Sequence, residues 1–201
     1  MKFILVFITA FALFSCESDL NEKKSNEAYR KGIITLKNHS ENGEPDYKEA
    51  YNYFVQATEI DPDNIKAQYW KADTELKLGK FEKAFLTAVT TLDNFQDDHR
   101  LRPNLLIIAG LSAKKYGDRG DKYLSEAIQI YEKRIIDDID NVDAIMNKAL
   151  VLCYMGRKDD AVNFLNTFSL NEENHALLEK IKVDIQNFDA ETVMNPGTMK
   201  K

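Results

Sequence analysis

The side chains best suited to chemistry in this 201-residue sequence are two cysteines, three histidines and two acidic runs. His39, His99 and His175 are far apart in sequence, and none belongs to a His-Glu-x-x-His turn that would aim two imidazoles at one zinc ion. The acidic runs Asp97-Asp98 and Asp137-Asp138-Ile139-Asp140 lack the glycine and the terminal glutamate of a calcium loop. They read as solvated helix ends whose carboxylates cap the helices beginning at Pro103 and Val142. Cys153 lies in the apolar run Ala149-Leu150-Val151-Leu152, where a thiol packs as a small hydrophobe. No glycine-rich phosphate loop or Gly-x-Ser-x-Gly elbow occurs. These residues predict a protein that is not an enzyme and has neither metal nor cofactor.

Cys16 has a different setting. Met1-Lys2 is followed by a run from 3 to 14 that is apolar apart from Thr9. Twelve residues make about 18 Å of helix, too short for a hydrocarbon core of about 30 Å, so the run reads as a secretory signal. Its end, Leu13-Phe14-Ser15-Cys16, resembles the bacterial lipobox, with Phe14 departing from the small or β-branched residue usual there. The resemblance implies removal of residues 1–15 and lipid on Cys16, and two acyl chains anchor a protein stably. Residues 16–24 are then the lipidated cysteine and a polar tether of at most about 28 Å. Glu17 and Asp19 are similar to acidic sorting signals of surface lipoproteins. The expected location is the cell envelope, the outer membrane ahead of the inner, with the leaflet open. With Cys16 consumed, Cys153 has no partner for an internal disulfide.

Any chemistry must be positioned by the remaining chain, and that chain repeats. Alanines at 50, 84, 127 and 161 are spaced by 34, 43 and 34 residues. Gly79, Gly117 and Gly156, which suit helix C-termini, are spaced by 38 and 39. The two sets agree if about four residues are added before Gly117 and about five between Gly117 and Ala127. Helices are expected near 25–38, 46–60, 64–78, 81–94, 103–116, 121–138, 142–155 and 158–168. Asp61 or Asp63 should cap the third of these. Small residues at Ala50, Ala72, Ala84, Gly110, Ala127, Ala149 and Ala161 let paired helices approach closely.

A 34-residue period with this alanine, glycine and aromatic pattern resembles the tetratricopeptide repeat. The resemblance covers about residues 25–168. It is best over residues 65–96, through Ala67, Trp70, Ala72, Gly79, Phe81 and Ala84, and weakest in the third copy, where Arg134 stands at a usually small position. It implies an all-α fold, an α-α superhelix or solenoid of about four helix–turn–helix repeats (25–63, 64–98, 99–141 and 142–170). A stripe of Leu177, Leu178, Ile181 and Ile185 then marks a C-terminal capping helix over 171–189, followed by a flexible tail, 190–201.

The resemblance also implies a concave groove lined by first helices. Carried over by register, Tyr29, Lys66, Tyr69, Asp73, Lys77, Lys114, Met146 and Tyr154 would face a partner there. The expected role is a membrane-anchored, non-catalytic scaffold binding another envelope protein or peptide; the alternative is a lipoprotein holding a peptide, glycan or small molecule for uptake. The formal charge of −6, from 27 Lys and Arg against 33 Asp and Glu, provides no footprint for nucleic acid.

Overall fold

The computed structural model describes residues 3–38, 45–95, 100–117, 119–168 and 172–189, with side chains described from residue 19 onward except at 172 and 173. Among the described residues there are nine helices and no β-strand. They are α1 (Phe3–Lys37), α2 (Tyr47–Ile60), α3 (Ile65–Lys77), α4 (Phe81–Asn94), α5 (Arg102–Tyr116), α6 (Asp121–Asp137), α7 (Val142–Tyr154), α8 (Lys158–Asn166) and α9 (Glu172–Gln186). All eight expected repeat helices and the final helix are present. The chain forms two compact units, Met1–Thr74 and Glu75–Lys201. A single expected domain therefore divides within α3, as a repeat array can, because each hairpin packs mainly on its neighbours.

In the first unit, α1 is far longer than the expected first helix. No proline or glycine interrupts residues 3–31, so nothing stops the helix upstream of residue 25. The stretch 17–24 is accordingly helical and not an extended tether. Ser25, Ala28 and Gly32 form its buried face, at the i, i+3, i+7 spacing of one helical stripe. On α2 the buried set is Ala50, Phe54, Ala57 and Thr58. Phe54 lies over Gly32 so closely that a Cβ there would come within 2.5 Å of the ring. Ala28, Ala57 and Ala67 form a small-residue cluster between the helices, with Tyr29 packed against it.

The α2–α3 turn corrects one expectation. Asp61 Oδ1 accepts from the Asp63 backbone N–H (3.1 Å), while Asn64 Oδ1 accepts from Ala67 N (3.1 Å) and caps α3. The same wiring recurs between α6 and α7. There Asp138 Oδ1 accepts from Asp140 N (3.1 Å), and Asn141 Oδ1, not an aspartate, accepts from Ala144 N (3.0 Å). In both turns the aspartate is spent on the bend, and the asparagine three residues later caps the helix. At α5 the cap position is Leu101, with no side-chain cap. Asp97, Asp98 and His99 lie outside the described residues, as do His39 and residues 190–201.

In the second unit each helix from α4 to α8 packs on the next, and α9 covers α7 and α8. Most of α5 is enclosed: Leu105, Leu106 and all residues from Ile108 to Ala113 are buried. Gly79 and Gly156 both have positive φ (70° and 76°). Beside each, the next backbone N–H returns to a carbonyl five residues back, Lys80 to Glu75 and Arg157 to Leu152, both at 2.8 Å. That left-handed closure disfavours any side chain with a Cβ. Arg134, out of place in the repeat pattern, stretches across Tyr131 with its guanidinium 5.7 Å from the ring centre. Its Nη2 donates to the Arg100 carbonyl (3.4 Å). On α9, Leu178, Ile181 and Ile185 are buried, but Leu177 is 46% exposed and leaves the expected stripe. Residues 178, 181 and 185 already define one helical face, and 177 lies at its edge, about 75° from its centre.

Candidate partner-binding surface

The seven small residues expected at helix crossings are all buried, the six alanines fully so. Closely paired backbones leave the larger side chains of the first helices to fill or border the surface.

In the first unit, four rings form a continuous run. Tyr29 on α1 meets Phe54 on α2 at 6.2 Å between centroids, Phe54 stacks on Trp70 at 6.1 Å, and Trp70 meets Tyr69 edge-on at 5.2 Å. Phe54 is fully buried, whereas Tyr29, Tyr69 and Trp70 are half-buried. The run thus carries core rigidity out to a partly open aromatic surface. Of the expected groove residues here, Tyr29 spends one side of its ring on the core cluster, Lys66 is exposed, and Tyr69 and Asp73 are half-buried. Lys66 also borders an open cleft of about 450 Å³, lined by Asp19, Glu22, Asn26, Asp61, Asp63, Asn64 and Ile65. Its inner edge is set by Asn64 Nδ2, which donates to Ser25 Oγ (2.9 Å), and by Ser25, which donates to the Ala57 carbonyl (2.9 Å). Sequence periodicity did not reveal this junction, because it joins residues 39 positions apart.

In the second unit the expected groove residues meet different fates. Lys77 and Met146 are half-buried. Lys114 Nζ is held by Asp121 (2.8 Å) and by the Tyr154 carbonyl (3.2 Å), so it ties α5 to the end of α7. The Tyr154 ring meets Phe188 edge-on at 5.4 Å, which places residues after α9 against it. Lys114 and Tyr154 therefore have internal packing roles that first-helix register alone could not reveal. A second cleft, of about 300 Å³, lies between α6, α7 and α8. Lys148 within it pairs with Glu132 (2.8 Å) and lies 4.2 Å from the Phe164 ring centre.

Among the chemically capable groups, burial pushes the Cys153 thiol upward, with Lys158 opposing. A protonated thiol is a poor nucleophile. His175 is exposed on α9. Tyr131 donates its hydroxyl to Asn104 Oδ1 (3.0 Å), and its pKa is pushed up to about 12, chiefly by burial. Among the described residues, no group of three or more His, Cys, Asp or Glu could hold a metal ion. Among them, too, no helix is long and apolar enough to cross a membrane.

Residues 42–103 match the tetratricopeptide repeat. No curated protein matches the chain. A thermophilic tetratricopeptide-repeat protein of Thermus thermophilus, TTC0263, has a similar crystal structure at 19% identity and a TM-score of 0.52, with 87% of this chain and 90% of that one covered. YrrB, described as a tetratricopeptide-repeat protein with an unusual peptide-binding site, aligns at 13% identity and a TM-score of 0.40, covering 77% and 84% of the two chains. The fold is an all-α array of helix–turn–helix repeats.

Proposed function

We propose that this chain is a non-catalytic scaffold of the cell envelope, anchored by lipid on Cys16, that binds a partner protein or peptide through its first-helix surfaces. The observation carrying the binding role is the aromatic run from Phe54 to Tyr69, with exposed Lys66 one helical turn from Tyr69. Rigid aromatic rings beside a cation provide contact area at low entropy cost, which is how interfaces build their strongest contacts. The anchor rests on Leu13-Phe14-Ser15-Cys16. With residues 17–24 helical, the spacer from lipid to repeats shortens to about 12 Å, at 1.5 Å per residue. The scaffold would then stand close to the bilayer.

Membrane fractionation of cells expressing the full chain tests the anchor: the parent should pellet with the outer membrane and Cys16→Ala should move to the soluble fraction. A Cys16→Ala chain that still pellets would remove the anchor. Photo-cross-linking from position 69 in the same cells tests the binding role. One protein partner should be captured, and Lys66→Glu should reduce the yield about tenfold. Capture at background level refutes the groove.

A further inference from the structure

A second aromatic cluster lies at the hairpin end of the second unit. Phe85, near the start of α4, meets two other rings edge-on: Tyr116, the last residue of α5, at 5.6 Å, and Tyr123, near the start of α6, at 5.7 Å. Three helices thus contribute one ring each to a fixed platform. Phe85 and Tyr123 are half-buried, but Tyr116 is 48% exposed, and Leu86, 56% exposed, stands on the same turn of α4. Large apolar side chains held rigidly at a surface are the usual core of a protein contact. At the last hairpin, by contrast, the chain covers its own aromatic end, with Phe188 against Tyr154.

Charge indicates what the platform would take. Between residues 114 and 123 the sequence carries Lys114, Lys115, Arg119 and Lys122 against Asp118 and Asp121, a local excess of positive charge in a chain of net charge −6. Lys114 is held by Asp121, but Lys122 is exposed and keeps its ammonium 4.6 Å from the Tyr123 ring centre. The far end of α6 is the reverse: Asp137, Asp138, Asp140 and Asp143 crowd the α6–α7 turn. Helix α6 has 17 residues, so these ends are about 25 Å apart, more than twice the Debye length of roughly 10 Å at 0.1 M salt. Each end therefore acts on a partner as its own field.

We infer that the Phe85–Tyr116–Tyr123 platform is a docking site for a carboxylate-rich peptide segment of another protein. An apolar side chain of that segment lies on Tyr116 and Phe85, and a neighbouring carboxylate faces Lys122. A bilayer of anionic lipid shares the charge but fits the surface less well. Lipid binding draws on clusters of about four to eight cations, whereas here Glu82 and Asp121 are interspersed and the rings occupy one compact spot.

The test uses the full chain and a labelled, end-blocked peptide of alternating Glu and Leu, followed by fluorescence anisotropy. The Glu-Leu peptide should bind and weaken as salt rises. Tyr116→Ala and Lys122→Glu should each lose about tenfold in affinity, and Lys122→Gln should fall between. Lys122→Glu should leave the melting temperature unchanged, whereas Tyr116→Ala, which loses its edge-on contact with Phe85, should lower it by a few degrees while keeping the parental circular dichroism spectrum. Tyr69→Ala should leave this binding intact, which separates the platform from the first-helix surface. Equal binding of a Lys-Leu peptide, or parental binding by both platform variants, overturns the inference. So does a result in which Lys122→Glu abolishes sedimentation with phosphatidylglycerol vesicles but leaves peptide binding untouched.

Discussion

Gly120→Ala is a sharp test of how α5 and α6 approach one another. Gly120 has φ −64° and ψ −17°, an ordinary right-handed conformation that alanine adopts freely. Judged by the backbone alone, the substitution should stabilise by about 0.4–1 kcal/mol, through lost freedom in the unfolded chain. The tertiary contact opposes this. A Cβ at Gly120 would lie 2.0 Å from the Gly110 carbonyl oxygen and 2.7 Å from Lys114 Cγ. The lysine tail can move, but the carbonyl belongs to a helix enclosed on nearly every side. Overpacking of a rigid site costs about 1–3 kcal/mol and occasionally more, so the net effect should be a loss of roughly 2 kcal/mol. For a chain of this length that lowers the melting temperature by about 4–8 °C. Gly117→Ala is the matched control. Its φ of 101° is unfavourable for alanine, but a Cβ there meets nothing within 4 Å, so the cost should be about 1–2 kcal/mol from the backbone alone. Urea and thermal unfolding of both variants, followed by circular dichroism, give the comparison. If Gly120→Ala melts at or above the parent, the backbone term has won and the close approach of Gly110 and Gly120 is wrong.

Two other perturbations probe the register and the core. Ala84 is fully buried on α4, so Ala84→Arg combines overpacking with a buried charge and should lower the melting temperature by about 10 °C or more; a change of only a couple of degrees would sink the helix register. Tyr131 has a folded-state pKa of about 12, above the ordinary phenol value of 10.0. The native state therefore keeps its proton longer than the unfolded chain, and stability is full below pH 10 and declines between pH 10 and 12. The loss from this group approaches about 2–3 kcal/mol, and Tyr131→Phe should flatten that part of the urea-midpoint profile relative to the parent.

Helix placement was legible because it depends on local signals. Glycines at 79 and 156 end helices through backbone geometry that only nearby residues influence, and the alanine interval locates the crossings whatever the packing around them. The start of α1 was not legible from the repeat. The lipobox resemblance and the polar composition of residues 17–24 suggested a tether, yet a stretch without proline or glycine simply continued an existing helix. The caps at Asn64 and Asn141 were misassigned to aspartates because both residue types suit the position, and only turn geometry decides which side chain faces the free N–H groups.

The candidate surfaces divide along the same line. Periodicity singled out Lys66 and Tyr69 on first helices but could not foresee that Lys114 would be held by Asp121 and the Tyr154 carbonyl, or that Phe188 would cover Tyr154. It also missed the Phe85–Tyr116–Tyr123 platform, whose members come from three helices. Sequence alone determined the repeat helices from residue 25 onward and where their small faces lie, since helix spacing and chain reversal depend on neighbours a few residues away. Which side chains remain at the surface was decided by tertiary packing, because exposure depends on what distant segments cover, and a one-dimensional pattern carries no record of that.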